Sequence, residues 1–306
     1  MAYDRDKFFS ALRREKRASV DRDVLSVISR ETSGFSKGQR RIAKYILENY
    51  DKAAFMTAGK LGKTVGVSES TVVRFAADLG YGGYPGMRKA LQDMIRNRLT
   101  SIQRIEVSKA VLSGENVVKA VLSSDMEKLQ LTLEEINRED FNAAVEAILG
   151  ARHVYIVGMR SATALASFMG FYFNLILENV RIVNDTAISE IYEQILRVGP
   201  GDVIVGISYP RYSRRTVKAL EYAKNRGAKV IAVTDGENSP LVPRADIFLF
   251  ARSEMVSFLD SLVAPLSLIN ALIVAIGMHS QESLENTFNS LEQLWSENEV
   301  YEKSSG

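Results

Sequence analysis

Residues 58–80 read AGKLGKTVGVSESTVVRFAADLG, and the organisation of the front of the chain follows from them. Leu61 and Val65 stand at i and i+4 and share one face of a first helix. After the break at Gly66-Val67-Ser68, the apolar Val72, Phe75, Ala76 and Leu79 fall at i, i+3, i+4 and i+7, the inner stripe of a second helix. Gly66 stands where the chain must reverse, in a left-handed turn that glycine adopts at little cost. Gly62 is small where two helices crossing near a right angle touch, and Ser68 is placed to cap the second helix. This is the spacing of a helix-turn-helix, whose second helix enters the major groove of DNA. Its outward positions are Ser68, Glu69, Ser70, Thr71, Val73 and Arg74, the candidate readers of base edges. Arg74 suits guanine and Val73 a thymine methyl. An ordinary corner between two helices shares part of this pattern, and the combined placements favour the DNA reading.

The rest of the chain bounds that reading. Its 306 residues suggest about two domains, and 46% hydrophobic with 25% charged residues is an ordinary globular composition. The absence of cysteine excludes a disulfide framework and thiolate chemistry, and fits a reducing, cytoplasmic setting. The first 17 residues lack the apolar core of a secretory signal. Net charge is +2 but uneven: residues 1–112 hold 22 Lys+Arg and 12 Asp+Glu, net +10, and the remainder 17 and 25, net −8. A basic front and an acidic rear describe a DNA-binding head on a differently employed body.

Residues 1–34 read as a polar, basic extension, with short amphipathic pieces at Phe8, Phe9 and Leu12 and at Val24, Leu25, Val27 and Ile28, and a basic run at 13–17. The head occupies 35–112. Its first firm helix spans 36–56, opened by a capping box of Ser36 and Gln39, and another spans 87–105. A linker helix over 113–130 leads into a second domain over 131–306. Residues 117–149 are helical in two pieces broken near Asn137. The pattern then changes to short apolar runs at 153–157, 180–183, 203–207, 230–233 and 247–250, with helical stretches between most of them. That alternation predicts a flavodoxin-like, doubly wound, five-stranded parallel sheet behind the all-α head.

Ligands of such sheets bind beyond the carboxyl ends of the strands, at the switch point between strands 1 and 3. Strand 1 runs into Gly158-Met159-Arg160-Ser161, and strand 3 into Ser208-Tyr209-Pro210-Arg211-Tyr212-Ser213. Both loops bring hydroxyls and backbone N–H groups to a helix N-terminus, where an anion is favoured, with Arg160 and Arg211 beside them as phosphate clamps. A phosphorylated, hydroxyl-rich ligand fits this set.

The segment 67–75, VSESTVVRF, continuing through LGYGGYP at 79–85, resembles the N-terminal domain of the MurR/RpiR family of bacterial transcriptional regulators, and the rear half is similar to the sugar isomerase (SIS) domain of that family. The resemblance spans roughly 35–277. It implies a repressor or activator of sugar-utilisation genes that binds a near-palindromic duplex operator, responds to a phosphosugar and acts as a homodimer or homotetramer. It also implies phosphate or hydroxyl contacts at Ser161, Ser208 and Ser213, with Gly158 beside them. The chain departs from the family where G-x-G-x-S follows strand 1 and S-x-S-G-x-T follows strand 3: Pro210 replaces the middle serine of the second motif and Arg211 its glycine.

Residues 261–278 carry no charge over 18 positions, the lower limit for a membrane span, but Pro265, Ser267 and Asn270 interrupt them. A buried helix or subunit interface is the expectation, not a membrane segment. SIS domains also occur in aldose–ketose isomerases, which need a base. His153 falls at the wrong end of strand 1 and His279 follows the apolar stretch, while Glu190, Glu193 and Glu254 are the carboxylates that an isomerase would draw on. No metal-ligand spacing or Walker-type loop occurs. A binding protein without catalysis or cofactor is therefore expected, with an isomerase carrying an appended helical domain as the alternative.

Overall fold

The structure, a computed structural model, describes residues 24–96, 100–112, 116–183, 188–254 and 259–301. The chain divides into two compact units, residues 1–114 and 115–306.

The front unit is helical: α1 Val24–Arg30, α2 Lys37–Glu48, α3 Tyr50–Ala53, α4 Ala58–Val65, α5 Glu69–Asp78, α6 Tyr84–Arg96 and α7 Ser101–Leu112. The capping box at α2 forms, with Ser36 Oγ accepting from Gln39 N and Gln39 Oε1 accepting from Ser36 N at 2.9 Å. Gln39 Nε2 also donates to Asp78 Oδ2 at 2.7 Å, so one side chain closes the start of α2 and ties it to the end of α5. The single helix expected over 36–56 breaks at Asn49, which caps α2 and opens α3, and the one expected over 87–105 is two helices, α6 and α7. The core gathers the fully buried Ile28, Ile42, Ile46, Leu61, Val72, Phe75, Met87 and Leu91. Phe35 meets Phe75 edge to face at 5.2 Å. Val24 and Ile28 belong to this core, which corrects the reading of residues 24–34 as a solvated extension: two apolar side chains four residues apart bury one face of α1. The basic run at 13–17 lies outside the described residues.

The rear unit opens with α8 Val117–Glu135 and α9 Arg138–Leu149, the break falling where Asn137 caps α9. The linker helix expected to end at 130 runs on to Glu135 and is fastened to the sheet unit. Thr132 Oγ1 accepts from Arg252 N at 2.9 Å, Glu135 pairs with the Arg252 guanidinium, and Ser261 Oγ donates to Asp125 Oδ1 at 2.6 Å. Then follow β1 Val154–Gly158, α10 Ala162–Ile176, β2 Val180–Val183, α11 Ile188–Gln194, β3 Val203–Ile207, α12 Arg214–Asn225, β4 Lys229–Thr234, β5 Ile247–Phe250, α13 Val263–His279 and α14 Gln281–Glu297. The five strands are all parallel, in the order β2-β1-β3-β4-β5.

Successive residues of each strand feed opposite faces. Val154, Ile156, Val203, Val205, Ile231, Val233, Ile247 and Leu249 pack under α9, α10 and α13. Tyr155, Val157, Ile204, Val230 and Ala232 pack against α11 and α12. Burial on both faces explains why β1 and β3 read as unbroken apolar runs. The uncharged stretch at 261–278 becomes α13, with eight residues buried, among them Leu272 and Ile276, and Val274 and Met278 exposed. No single helix among the described residues is long and apolar enough to cross a membrane.

Candidate functional site

In the front unit the helix-turn-helix is set by three small or polar residues. Gly66 takes φ 71° and ψ 44° and ends α4, its N–H donating to Gly62 O. A Cβ on Gly62 would stand 2.8 Å from the Val67 carbonyl oxygen, so only glycine lets the turn lie this close on α4. Ser68 caps α5, accepting from Thr71 N at 3.3 Å, and its Oγ lies 2.9 Å from Ser70 Oγ and 2.8 Å from Thr71 Oγ1. The three hydroxyls thus form one cluster at the helix start. Thr71 is half-buried, whereas Ser68, Ser70, Val73 and Arg74 are exposed. Glu69 is exposed too, but its carboxylate folds back toward α4, to within 3.0 Å of where a Cβ on Gly59 would stand, in the favourable field of that helix's N-terminus. Arg41, on the polar side of α2 where the sequence leaves it free to face solvent or phosphate, reaches over the turn, its Nη1 3.3 Å from the position of a Cβ on Gly66.

In the rear unit β1 and β3 are neighbours, with Gly158 opposite Ile207, so the loops that leave them open side by side at the carboxyl edge of the sheet. Ser208 Oγ accepts from Ser213 N at 3.0 Å, and Ser213 Oγ caps α12 by accepting from Thr216 N at 3.4 Å. Ser161 sits at the start of α10, exposed and with no cap bond from its side chain. Ser208 is buried and Ser213 half-buried, and each accepts from a backbone donor, which leaves the hydroxyl proton as what either could give to an anion. Gly158 has a packing role: a Cβ there would stand 2.6 Å from Ala162 O, and its carbonyl accepts from Thr163 Oγ1 at 3.0 Å. Arg160 and Arg211 are both exposed and both left-handed, with φ 59° and φ 63°. Side chains other than glycine adopt this region at a cost of about 1–2 kcal/mol.

The loop after β3 is braced from β4, a feature that sequence reasoning missed although Thr234-Asp235 at a strand end signals it. Thr234 Oγ1 donates to Ser208 O at 2.7 Å, and Tyr212 OH donates to Asp235 Oδ1 at 2.8 Å.

Of the residues weighed for proton transfer, His153, His279 and Glu254 have partners. His153 is bound at the opposite edge of the sheet, its Nδ1 3.1 Å from Asp202 Oδ1. Burial would push the Asp202 carboxyl up, but hydrogen bonds from Arg152, His153 and the Gly199 N–H outweigh it and hold it below its ordinary value. His279 Nδ1 lies 2.7 Å from Ala275 O at the exposed end of α13. Glu254 stands 3.4 Å from Arg252. Glu190 and Glu193 are on α11. Away from the serine loops, a groove of about 700 Å³ runs between α8, α9 and α13, lined by Met126, Leu129, Leu133, Phe141 and Leu268.

A helix-turn-helix unit joined to a parallel α/β unit with paired hydroxyl loops at its switch point defines a class, the ligand-responsive DNA-binding regulators. Residues 22–98 match the rpiR-family helix-turn-helix domain and residues 147–275 match the SIS domain. An HTH-type transcriptional regulator from Caldanaerobacter subterraneus subsp. tengcongensis is 27% identical over 87% of this chain and 95% of its own. The sugar isomerase domain of the RpiR transcription factor from Sphaerobacter thermophilus is 30% identical, with a TM-score of 0.55 over 58% of this chain and 98% of that one. The Vibrio vulnificus NanR protein, solved with ManNAc-6P, shares the fold at 22% identity, with a TM-score of 0.55 over 89% of this chain and 97% of its own. The chain belongs to the RpiR family of transcriptional regulators.

Proposed function

We propose that the protein is a cytoplasmic regulator of sugar-metabolism genes whose DNA affinity is set by a phosphorylated sugar held between the loops after β1 and β3. The observation that carries this reading is the pairing of those loops across Gly158 and Ile207, with Ser161, Ser208 and Ser213 offering hydroxyl protons beside two helix starts. Arg160 and Arg211 complete an anion site. The NanR protein named above was solved with a sugar phosphate, which agrees with this ligand class.

The head uses Ser68, Ser70, Thr71, Val73 and Arg74 to read base edges, with Glu69 placing α5 on α4. Two copies are needed to present two such helices to a near-palindromic operator. The exposed Leu122, Met126 and Leu133 of α8 with Leu266, Val274 and Met278 of α13 supply an apolar surface suited to a homodimer or homotetramer. Bound ligand then favours one placement of the paired heads, a population shift. Catalysis has no role in this account: His153 is committed to Asp202 at the far edge, and Glu254 is held by Arg252.

A thermal-shift screen against sugar phosphates and their unphosphorylated parents tests the reading. A phosphate that binds the native state raises the melting temperature by mass action, by about 2.7 kcal/mol of stability at one hundred times its Kd. Stabilisation by a phosphate and not by its parent sugar supports the site, and turnover of that phosphate would establish the isomerase instead.

A further inference from the structure

We propose that the start of α2 is a second DNA-contacting element, in which Lys37 and Arg41 grip phosphates of the strand that runs along one flank of α5. The inference rests on the helix-turn-helix reading above and concerns the backbone of the duplex, not its base edges. The start of α2 lies along α5. A Cβ on Gly38 would stand 3.5 Å from Val67 Cγ1 and 3.5 Å from Thr71 Cγ2. One residue on, Gln39 Nε2 donates to Asp78 Oδ2 at 2.7 Å. Thr71 and Asp78 are about 10 Å apart along the axis of α5, so these two contacts run the start of α2 beside most of that helix. Arg41 then reaches over the turn, its Nη1 3.3 Å from the position of a Cβ on Gly66. A helix is about as wide as the major groove, about 10–12 Å, so a helix seated there has a sugar–phosphate backbone along each flank. Cations that point outward from the flank of α5 therefore meet phosphates, and such contacts fix register without reading sequence.

Lys37 and Arg41 stand at i and i+4 on α2, and both are exposed. The neighbouring cations are engaged within the fold. Arg40 Nε donates to Phe35 O at 2.9 Å, and Lys44 stands 3.9 Å from Glu48. Lys37 and Arg41 pair with no carboxylate among the described residues. The first turn of α2 holds no acidic residue, so Lys37 sits uncompensated at the positive end of its own helix, where a cation is least favoured. Stability of the fold gives no reason for a lysine there, whereas an anion outside the chain does.

Fluorescence anisotropy of the full chain tests the proposal, with the duplex that the parent selects from a randomised pool and with a random duplex, from about 50 to about 300 mM salt. Each phosphate contact contributes about 0.9 to the slope of log affinity against log salt, or about five- to tenfold in affinity near 0.1 M. Lys37→Gln and Arg41→Gln should each weaken both duplexes by that factor and flatten the slope by about 0.9, leaving the ratio between the duplexes as in the parent. Arg41→Lys should keep the parent's slope. Lys52→Gln is the matched control: it removes one exposed charge from α3, beyond the far end of α2, and should move neither affinity nor slope by as much. Melting temperatures of all four variants should match the parent's, since the charges removed make no ion pair in the fold. Slopes equal to the parent's in Lys37→Gln and Arg41→Gln, or losses no larger than in Lys52→Gln, overturn the proposal and leave the helix-turn-helix reading standing. A loss on the selected duplex alone also overturns it, since the two residues would then read bases. A parent that selects no sequence from the pool overturns the helix-turn-helix reading itself.

Discussion

Gly62 and Gly59 lie one turn apart on α4, and replacing each by alanine separates helix propensity from the contact that builds the helix-turn-helix. Alanine is worth up to about 1 kcal/mol over glycine within a helix, and both variants receive that gain. At Gly59 the new methyl meets only the tip of the Glu69 side chain, at 3.0 Å, which can swing aside. At Gly62 it meets the Val67 carbonyl at 2.8 Å and the Glu69 amide at 3.4 Å, both backbone. Neither can move without moving the start of α5, and Val67 N is itself bonded to Gly62 O at 2.9 Å. Overpacking of this kind costs about 1–3 kcal/mol. Gly59→Ala should therefore be neutral or stabilising, and Gly62→Ala should be the less stable of the two by about 1–3 kcal/mol, or about 4–8 °C per kcal/mol for a unit of this size. Calorimetric unfolding of the full chain reads the difference in the front-unit transition. Affinity for a DNA sequence selected by the parent protein from a randomised pool reads the displacement of α5, with a loss of about tenfold for Gly62→Ala, or 1.4 kcal/mol. Equal stability and equal DNA affinity of the two variants would refute the packing argument.

Arg74→Ala should cost about 1–3 kcal/mol of binding to the selected sequence and less to random DNA; equal losses on both would make Arg74 a phosphate contact. The affinity for DNA should fall steeply between 50 and about 200 mM salt, because the front of the chain carries net +10. In the rear unit the Asp202 carboxyl is held below its ordinary 3.8, so it binds fewer protons folded than unfolded near that pH. Its stabilisation is present above about pH 4 and is lost as pH falls through the lowered value. Asp202→Asn should destabilise the protein at pH 7 and flatten the acid side of its stability profile, and an acid side as steep as the parent's would show that Asp202 does not shape it.

Periodicity made most of the architecture legible. Alternate burial of β1 and β3 on both faces is what an unbroken run such as Val203–Ile207 encodes, and the capping box at Ser36 and the cap at Asn137 mark true helix starts. The ends of elements were less legible, because tertiary contacts set them. Residues 131–135 continue α8, where Thr132 and Glu135 meet Arg252, 120 residues further on in the case of Thr132. No local pattern carries such a contact, nor the burial of Val24 and Ile28 in the head. In the candidate site the serines and arginines were visible as a list. What required coordinates was that Ser208 and Ser213 accept from backbone donors, that Gly158 is needed by α10, that Glu69 turns toward α4, and that both arginines are left-handed.

The measurement that bears most directly on the account is DNA affinity with and without the phosphate that stabilises the protein, compared between the parent and Ser208→Ala by fluorescence anisotropy. Coupling free energies between two sites on one protein are about 1–3 kcal/mol, so the parent's DNA affinity should change about 5- to 150-fold on saturation. Ser208→Ala should bind DNA like the unliganded parent and lose that change. A DNA affinity indifferent to the ligand in the parent, or a Ser208→Ala variant that responds as the parent does, would contradict control of the head from the crevice between β1 and β3.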